Sequence, residues 1–336
     1  MIELRQAVAA TAEPITSGKR SNLVDLVKGL AIILVVYGHT AQGTVHRGWW
    51  TGPGTAISEN FIYSFHMPAF FFVSGLFVLG SIRRRGAGDF TLEKVKTILY
   101  PYLLFAVISA ALGPLIGRFE VSYSPFHWKT FLMNVADGSV SWFLFTLFFC
   151  LMVALLTARL PNWLRFLLAV VAGIAPAYGS YIMNRVQWEF CFVAAGMWVG
   201  NQIFRLERVP KWMAAIGFML LAAFQFAATY FYGYPNRWTY IGLGLTGTVA
   251  LLLLARVLEN HRVGVALVWV GRASLAIFLL SAFAQGATRA VLSSLFHTNN
   301  LWLQLLLPTA FATALPAIVW YQQDRWRLGW LFHWPF

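Results

Sequence analysis

Charge is scarce in this 336-residue chain: Asp, Glu, Lys and Arg make up 11% of it, and only 12 residues are acidic. That fraction is about half the usual value for a soluble domain, which excludes a water-exposed enzyme of this length and indicates a polytopic membrane protein. Cysteine is scarcer still. The two that occur, Cys150 and Cys191, lie inside apolar stretches, leaving neither a disulfide framework nor a zinc-ligand spacing, so both read as buried thiols and no metal is expected. Long polar stretches are missing too, hence no soluble appendage is expected, and neither a P-loop nor a G-x-S-x-G elbow occurs. One glycine pattern, Gly242-Leu-Gly244-Leu-Thr-Gly247, matches the dinucleotide fingerprint in letters. It lies inside an apolar run instead of between a strand and a helix, so its glycines are expected to let helices approach closely.

Hydrophobic residues supply 59% of the chain, with 29 Phe and 15 Trp. Many tryptophans sit beside segment ends, as Trp49, Trp50, Trp142, Trp163, Trp212 and Trp238 do, where interface anchors belong. Apolar runs of spanning length fall near 23–43, 60–80, 97–117, 141–158, 162–179, 186–204, 212–232, 238–257, 264–285 and 301–321. The expected fold is therefore all-α: a membrane bundle of about ten helices. Basic residues concentrate in alternate connections: Lys19 and Arg20; Arg83 to Arg85 with Lys94 and Lys96; Arg159 and Arg165; Arg205, Arg208 and Lys211; Arg256 and Arg262; Arg325 and Arg327. The opposite connections hold about one each: Arg47, Arg118, Lys129, Arg185, Arg237 and Arg289. By the positive-inside rule both termini are cytoplasmic, and the net charge of +13 reflects topology, not nucleic-acid binding. The expected division is a cytoplasmic segment 1–22, a membrane domain 23–321 and a cytoplasmic tail 322–336. The first span is expected to act as an uncleaved signal anchor. An apolar patch from His127 to Val135 reads as an interfacial or re-entrant helix.

The first span carries Asp25, Lys28 and His39 in an otherwise lipid-compatible run. At 100° per residue, Lys28 and His39 differ by only about 20° around the axis and Asp25 lies within about 60° of Lys28, so all three share a face. Ionisable groups are expensive in a membrane helix, which makes that face a candidate functional surface. The rise separates Lys28 from His39 by roughly 16 Å, a cation near one end and an imidazole near the other. The alternative is an interfacial Asp25–Lys28 ion pair with a packed histidine.

A second histidine, His66, precedes Pro68 in Asn-Phe-Ile-Tyr-Ser-Phe-His-Met-Pro and lies at the depth of His39. Two imidazoles at one level suit general acid and base roles; His66 also suits a cap on a backbone carbonyl freed by the proline. Glu189 enters the same outer layer, where it serves equally to orient an imidazole, to bind a sugar hydroxyl or to pair with Arg185 four positions earlier. Trp142 begins the fourth span at that level, a platform for a sugar ring or an anchor. On the cytoplasmic side Lys94, Lys96 and Arg83 to Arg85 suit a phosphate-rich donor, or lipid headgroups.

These residues resemble the acyltransferase-3 family of integral-membrane O-acyltransferases, within it the fucose-4-O-acetylase-like branch. The resemblance rests on Asp25-Leu-Val-Lys28-Gly with His39 following, the Phe65-His-Met-Pro-Ala-Phe-Phe-Phe-Val-Ser-Gly75 run, elements around Lys96, Pro101 and Tyr102, Trp142 to Leu144, and Gly271 to Leu280. It implies an enzyme of the bacterial inner membrane that moves an acetyl group from cytoplasmic acetyl-coenzyme A, a co-substrate and not a bound cofactor, to a hydroxyl of an extracytoplasmic polysaccharide or lipid-linked glycan. His39 would be the key catalytic histidine, assisted by His66 and Glu189. Lys28, Lys94 and Lys96 would hold the donor, while Asp25 and Trp142 contact substrate. Implied partners are acetyl-coenzyme A, a glycan acceptor, the bilayer and polysaccharide-assembly proteins. The chain departs from the family at Lys28, often arginine, and at Ser281, often histidine. Two other classes fit the composition: a transporter or exporter, which would show interrupted helices in corresponding halves, and a non-catalytic part of a polysaccharide export system, which would not need His39.

Overall fold

A computed structural model describes residues 22–116, 127–176, 179–233 and 235–335. Among the described residues every regular element is helical, as hydrocarbon demands of segments that must satisfy their own backbone groups. Helix α1 (Asn22–His46) is followed by α2 (Pro53–Tyr63), α3 (His66–Leu76) and α4 (Val78–Lys94), which continues through a π turn, Val95–Leu99, into α5 (Tyr100–Ile116). Next come α6 (Trp128–Ala136), α7 (Trp142–Leu156), α8 (Asn162–Ile174), α9 (Tyr181–Val199) and a 3-10 stretch, Gly200–Arg208. The chain ends with α10 (Lys211–Tyr232), α11 (Arg237–Leu258), α12 (Arg262–Arg272), α13 (Ser274–Ser294), α14 (Leu301–Gln322) and a 3-10 turn, Gly329–Leu331.

Among the described residues six stretches are long and apolar enough to cross a membrane: Asn22–His46, Val78–Leu112, Lys211–Tyr232, Arg237–Leu258, Ser274–Ser294 and Leu301–Gln322. This is a multi-pass membrane protein. The remaining expected spans are broken, short or polar. The 60–80 run is interrupted at Phe65 (φ −141°, ψ −20°) and again at Phe77 (φ −108°, ψ −2°). The 264–285 run turns at Ala273, α7 and α8 have 15 and 13 residues, and α9 carries Asn184, Arg185, Gln187 and Glu189. Lys19, Arg20 and Arg118 lie outside the described residues, as does most of segment 1–22. Arg83 to Arg85, expected in a connection, are helical within α4, which turns at Gly86 (φ 81°), a backbone region that favours glycine. The patch near His127 forms α6, with no buried residue; Tyr102, itself buried, donates to the Val135 carbonyl at 2.7 Å and ties α6 to α5.

Helix α1 is the axis of the bundle. It packs against α2, α3, α11, α12, α13 and α14, and 67% of its apolar window is buried, against 17% for the peripheral α10. Close approach is bought with glycine: Gly29 and Gly271 bring α1 and α12 backbone to backbone, and Gly75 and Gly196 do so for α3 and α9. Within the fingerprint-like run, Gly244 makes room for Phe192 and Pro68 and Gly247 for Phe65, while Gly242 faces open space. Both cysteines are free and buried.

Candidate active site

The C-terminal third of α1 presents His39. His39 is exposed on the accessible surface. The Tyr63 phenol lies against Gly38, where an added methyl carbon would sit 3.1 Å from Tyr63 Oη. Tyr63 in turn meets the His66 ring edge-on, with centroids 4.9 Å apart and planes at 84°. His39 and His66 are near enough for their charges to interact. Tyr63 thus touches both Gly38, the neighbour of His39 in sequence, and the His66 ring.

The break before α3 sets the orientation of His66. Its Nδ1 lies 2.6 Å from the Ile62 carbonyl, on the last turn of α2, so Nδ1 carries the proton and Nε2 keeps its lone pair. The imidazole therefore caps a carbonyl at the end of α2, not the one that Pro68 would free, and Nε2 takes no part in that bond. A buried network secures the same break: Gln225 donates to Ser64 Oγ at 2.6 Å and Thr246 Oγ1 to Gln225 Oε1 at 3.2 Å, joining α10 and α11 to the α2–α3 corner.

Helices α3 and α9 run parallel, because Gly196 packs on the Phe72 carbonyl and Gly200 faces that of Leu76. Gly196 also meets Gly75 Cα, and this register puts Glu189 about level with Pro68, two residues from His66. Glu189 is fully buried; Tyr240 donates to its Oε1 at 2.9 Å and Arg185 approaches the same oxygen at 3.9 Å, whereas Oε2 has no hydrogen-bond partner among the described residues. The Arg185 guanidinium lies over the rings of Trp142, at 4.5 Å, Tyr181 and Trp188. Trp142 also stacks on Phe71. Pairing with Arg185, one of the readings of Glu189, is therefore present, and Tyr240 is added to it.

The N-terminal end of α1 is a second polar centre. Asp25 is buried and receives Lys28 Nζ on Oδ1 at 3.0 Å and Arg272 Nε on Oδ2 at 3.2 Å; Arg272 also donates to Asn22 Oδ1 at 3.3 Å. Asp25 lies about 21 Å of helix rise from His39. A cavity of about 270 Å³ opens beside this centre, lined by residues including Asn22, Glu259, Trp269, Arg272 and Tyr321. Lys94 is engaged elsewhere, 3.6 Å from Glu93 and over the Phe90 ring. The Lys96 carbonyl accepts from the Trp334 amide at 3.1 Å.

Sequence reasoning missed Tyr63, Tyr240 and Arg272. Tyr63 stands three positions before His66 and Arg272 lies within the Gly271 to Leu280 motif, but their partners are helices remote in sequence and no local spacing announces them.

The acyltransferase-3 profile, described as an acyltransferase domain, matches residues 22–321. Nodulation protein NolL of Mesorhizobium japonicum is 25% identical over 231 residues, 63% of this chain and 57% of that protein. Nodulation protein NolL of Sinorhizobium fredii is 29% identical over 196 residues, 54% of this chain and 49% of that protein. The chain thus spans about half the length of the curated relatives it matches. No solved structure matches. Nearly the whole helical bundle, with both polar centres of α1, falls within the matched domain, and the chain belongs to the acyltransferase-3 family.

Proposed function

We propose that this protein is a membrane O-acetyltransferase of the bacterial inner membrane, moving an acetyl group from cytoplasmic acetyl-coenzyme A to a sugar hydroxyl of an extracytoplasmic polysaccharide or lipid-linked glycan. The observation that carries the reading is the convergence of His39, Tyr63 and His66 at one end of the central helix of an acyltransferase domain. Both termini are cytoplasmic in this reading, from the charge bias of the connections. The donor approaches the inner end, where Lys28 and Arg272 offer cationic groups beside the cavity and Lys94 and Lys96 add charge. The polar face of α1 lines the route outward.

In the transfer step His39 accepts the proton of the acceptor hydroxyl as its oxygen attacks the thioester carbonyl. The carbon–sulfur bond breaks, the new ester forms on the sugar, and coenzyme A leaves as the thiol after taking up the proton. His66, with its lone pair on Nε2, orients the hydroxyl or supports the His39 imidazolium. Glu189, held by Tyr240 and Arg185, keeps Oε2 for the acceptor, and Trp142 under Arg185 forms part of the outer wall.

Membranes given labelled acetyl-coenzyme A test the reading. His39→Ala should leave the protein inserted and abundant and lower transfer of label to glycan by at least about a hundredfold, the low end of a general acid–base contribution. Near-normal transfer by a well-expressed His39→Ala protein would remove His39 from the chemistry.

A further inference from the structure

Arg289 sits one turn from the outer end of α13, and by sequence it passes for a lone basic residue of an outer connection. The structure turns it inward. It is 8% exposed, and Gln285 and Ser281, at preceding four-residue steps along the same face, are 6% and 4% exposed. This face lies on α1. Gln285 Nε2 donates to the Val36 carbonyl at 3.0 Å, and Arg289 Nη2 donates to the carbonyl of Thr40. Both contacts have the same sequence separation of 249, so α13 and α1 run parallel, in register.

Those two carbonyls bracket His39. Each belongs to a helix interior, and that of Val36 accepts from the Thr40 hydroxyl as well, at 2.8 Å, so the α13 donors add to bonds internal to α1. Gly43 completes the arrangement, because a methyl group there would overlap the Arg289 guanidinium. Val36, Thr40 and Gly43 lie about 40–100° around α1 from His39, so the clamp grips the flank and leaves the imidazole uncovered. A guanidinium in a membrane helix is costly and needs a return on that cost. Holding one rotation and one axial position of α1 supplies it, since a one-residue slip would swing His39 by about 100° and shift it by about 1.5 Å.

We propose that Arg289, notched into Gly43 and seconded by Gln285, is a positioning residue for His39. The proposal rests on the reading of His39 as the proton acceptor in acyl transfer. Its test uses full-length protein in membranes with labelled acetyl-coenzyme A and compares Arg289→Ala, Arg289→Lys, Gly43→Ala and His39→Ala for protein level, thermal stability in detergent, kcat per molecule and KM for the donor. Arg289→Ala and Gly43→Ala should lower kcat by about ten- to a hundredfold, the cost of misplacing a catalytic group by an ångström or so, while KM changes less than about twofold. Arg289→Lys should recover part of the loss. If Arg289→Ala does not accumulate, Gly43→Ala, which displaces the guanidinium without removing it, decides the matter. Normal kcat per molecule in Gly43→Ala and in any accumulating Arg289 variant, with His39→Ala inactive, would overturn the clamp and leave the role of His39 standing. An active His39→Ala would overturn the parent reading itself.

Discussion

Asp25 is the residue on which the inner end of α1 depends. Its two carboxylate oxygens are divided between Lys28 on the same helix and Arg272 at the end of α12, and the carboxylate is buried while Arg272 is partly exposed. Removing one cation leaves the other in place. Lys28→Ala and Arg272→Ala should therefore each change stability little, whereas the double variant takes both cations from a buried carboxylate, at a cost of about 3–5 kcal/mol by analogy with broken buried ion pairs. Thermal unfolding in detergent checks this. A double variant no less stable than either single one would show that Asp25 has other adequate partners. The local half was legible: the helical repeat places Asp25, Lys28 and His39 on one face of α1, and the Asp25–Lys28 ion pair raised from their spacing is present. Arg272 and Tyr240 were not, because their pairings cross 247 and 51 residues.

At the level of elements, the outer site is built where a span fails. An uninterrupted helix over 60–80 would carry Ile62 and His66 through one continuous ladder; instead the chain turns at Ser64 and Phe65, and the imidazole takes the Ile62 carbonyl. Composition reveals the apolar run but not this break, since the buried Gln225 and half-buried Thr246 that secure Ser64 come from α10 and α11. The same limit explains why the expected count of spans exceeds the six continuous ones: hydropathy does not register a turn at Phe65, Phe77 or Ala273. Helix α3 is then fixed against α9 through Gly75, whose added carbon would meet the Val193 carbonyl backbone. Gly75→Ala should destabilise the protein by roughly 1–3 kcal/mol, the usual cost of overpacking, and lower its level in membranes. Gly242→Ala, facing open space, should change neither. Equal behaviour of the two variants would mean that α3 and α9 can separate without penalty.

For the whole molecule, the two-sided mechanism stands or falls with orientation. Apolar helices establish that the chain crosses a bilayer, and only the distribution of arginine and lysine says which way. Two exposed positions report on it: Thr51, between α1 and α2, and Ala87, beside the turn in α4. The two native cysteines are buried, so an impermeant thiol reagent on intact cells should see chiefly an engineered thiol. Thr51→Cys should react from outside, and Ala87→Cys only after the membrane is opened. That outcome would place His39, His66 and Glu189 toward the glycan side and Asp25, Lys28 and Arg272 toward the donor side, about 16 Å of α1 lying between Lys28 and His39. Reversed labelling would put the histidines on the coenzyme A side. A sugar acceptor outside the cell would then have no base within reach, and the acceptor would have to be sought in the cytoplasm.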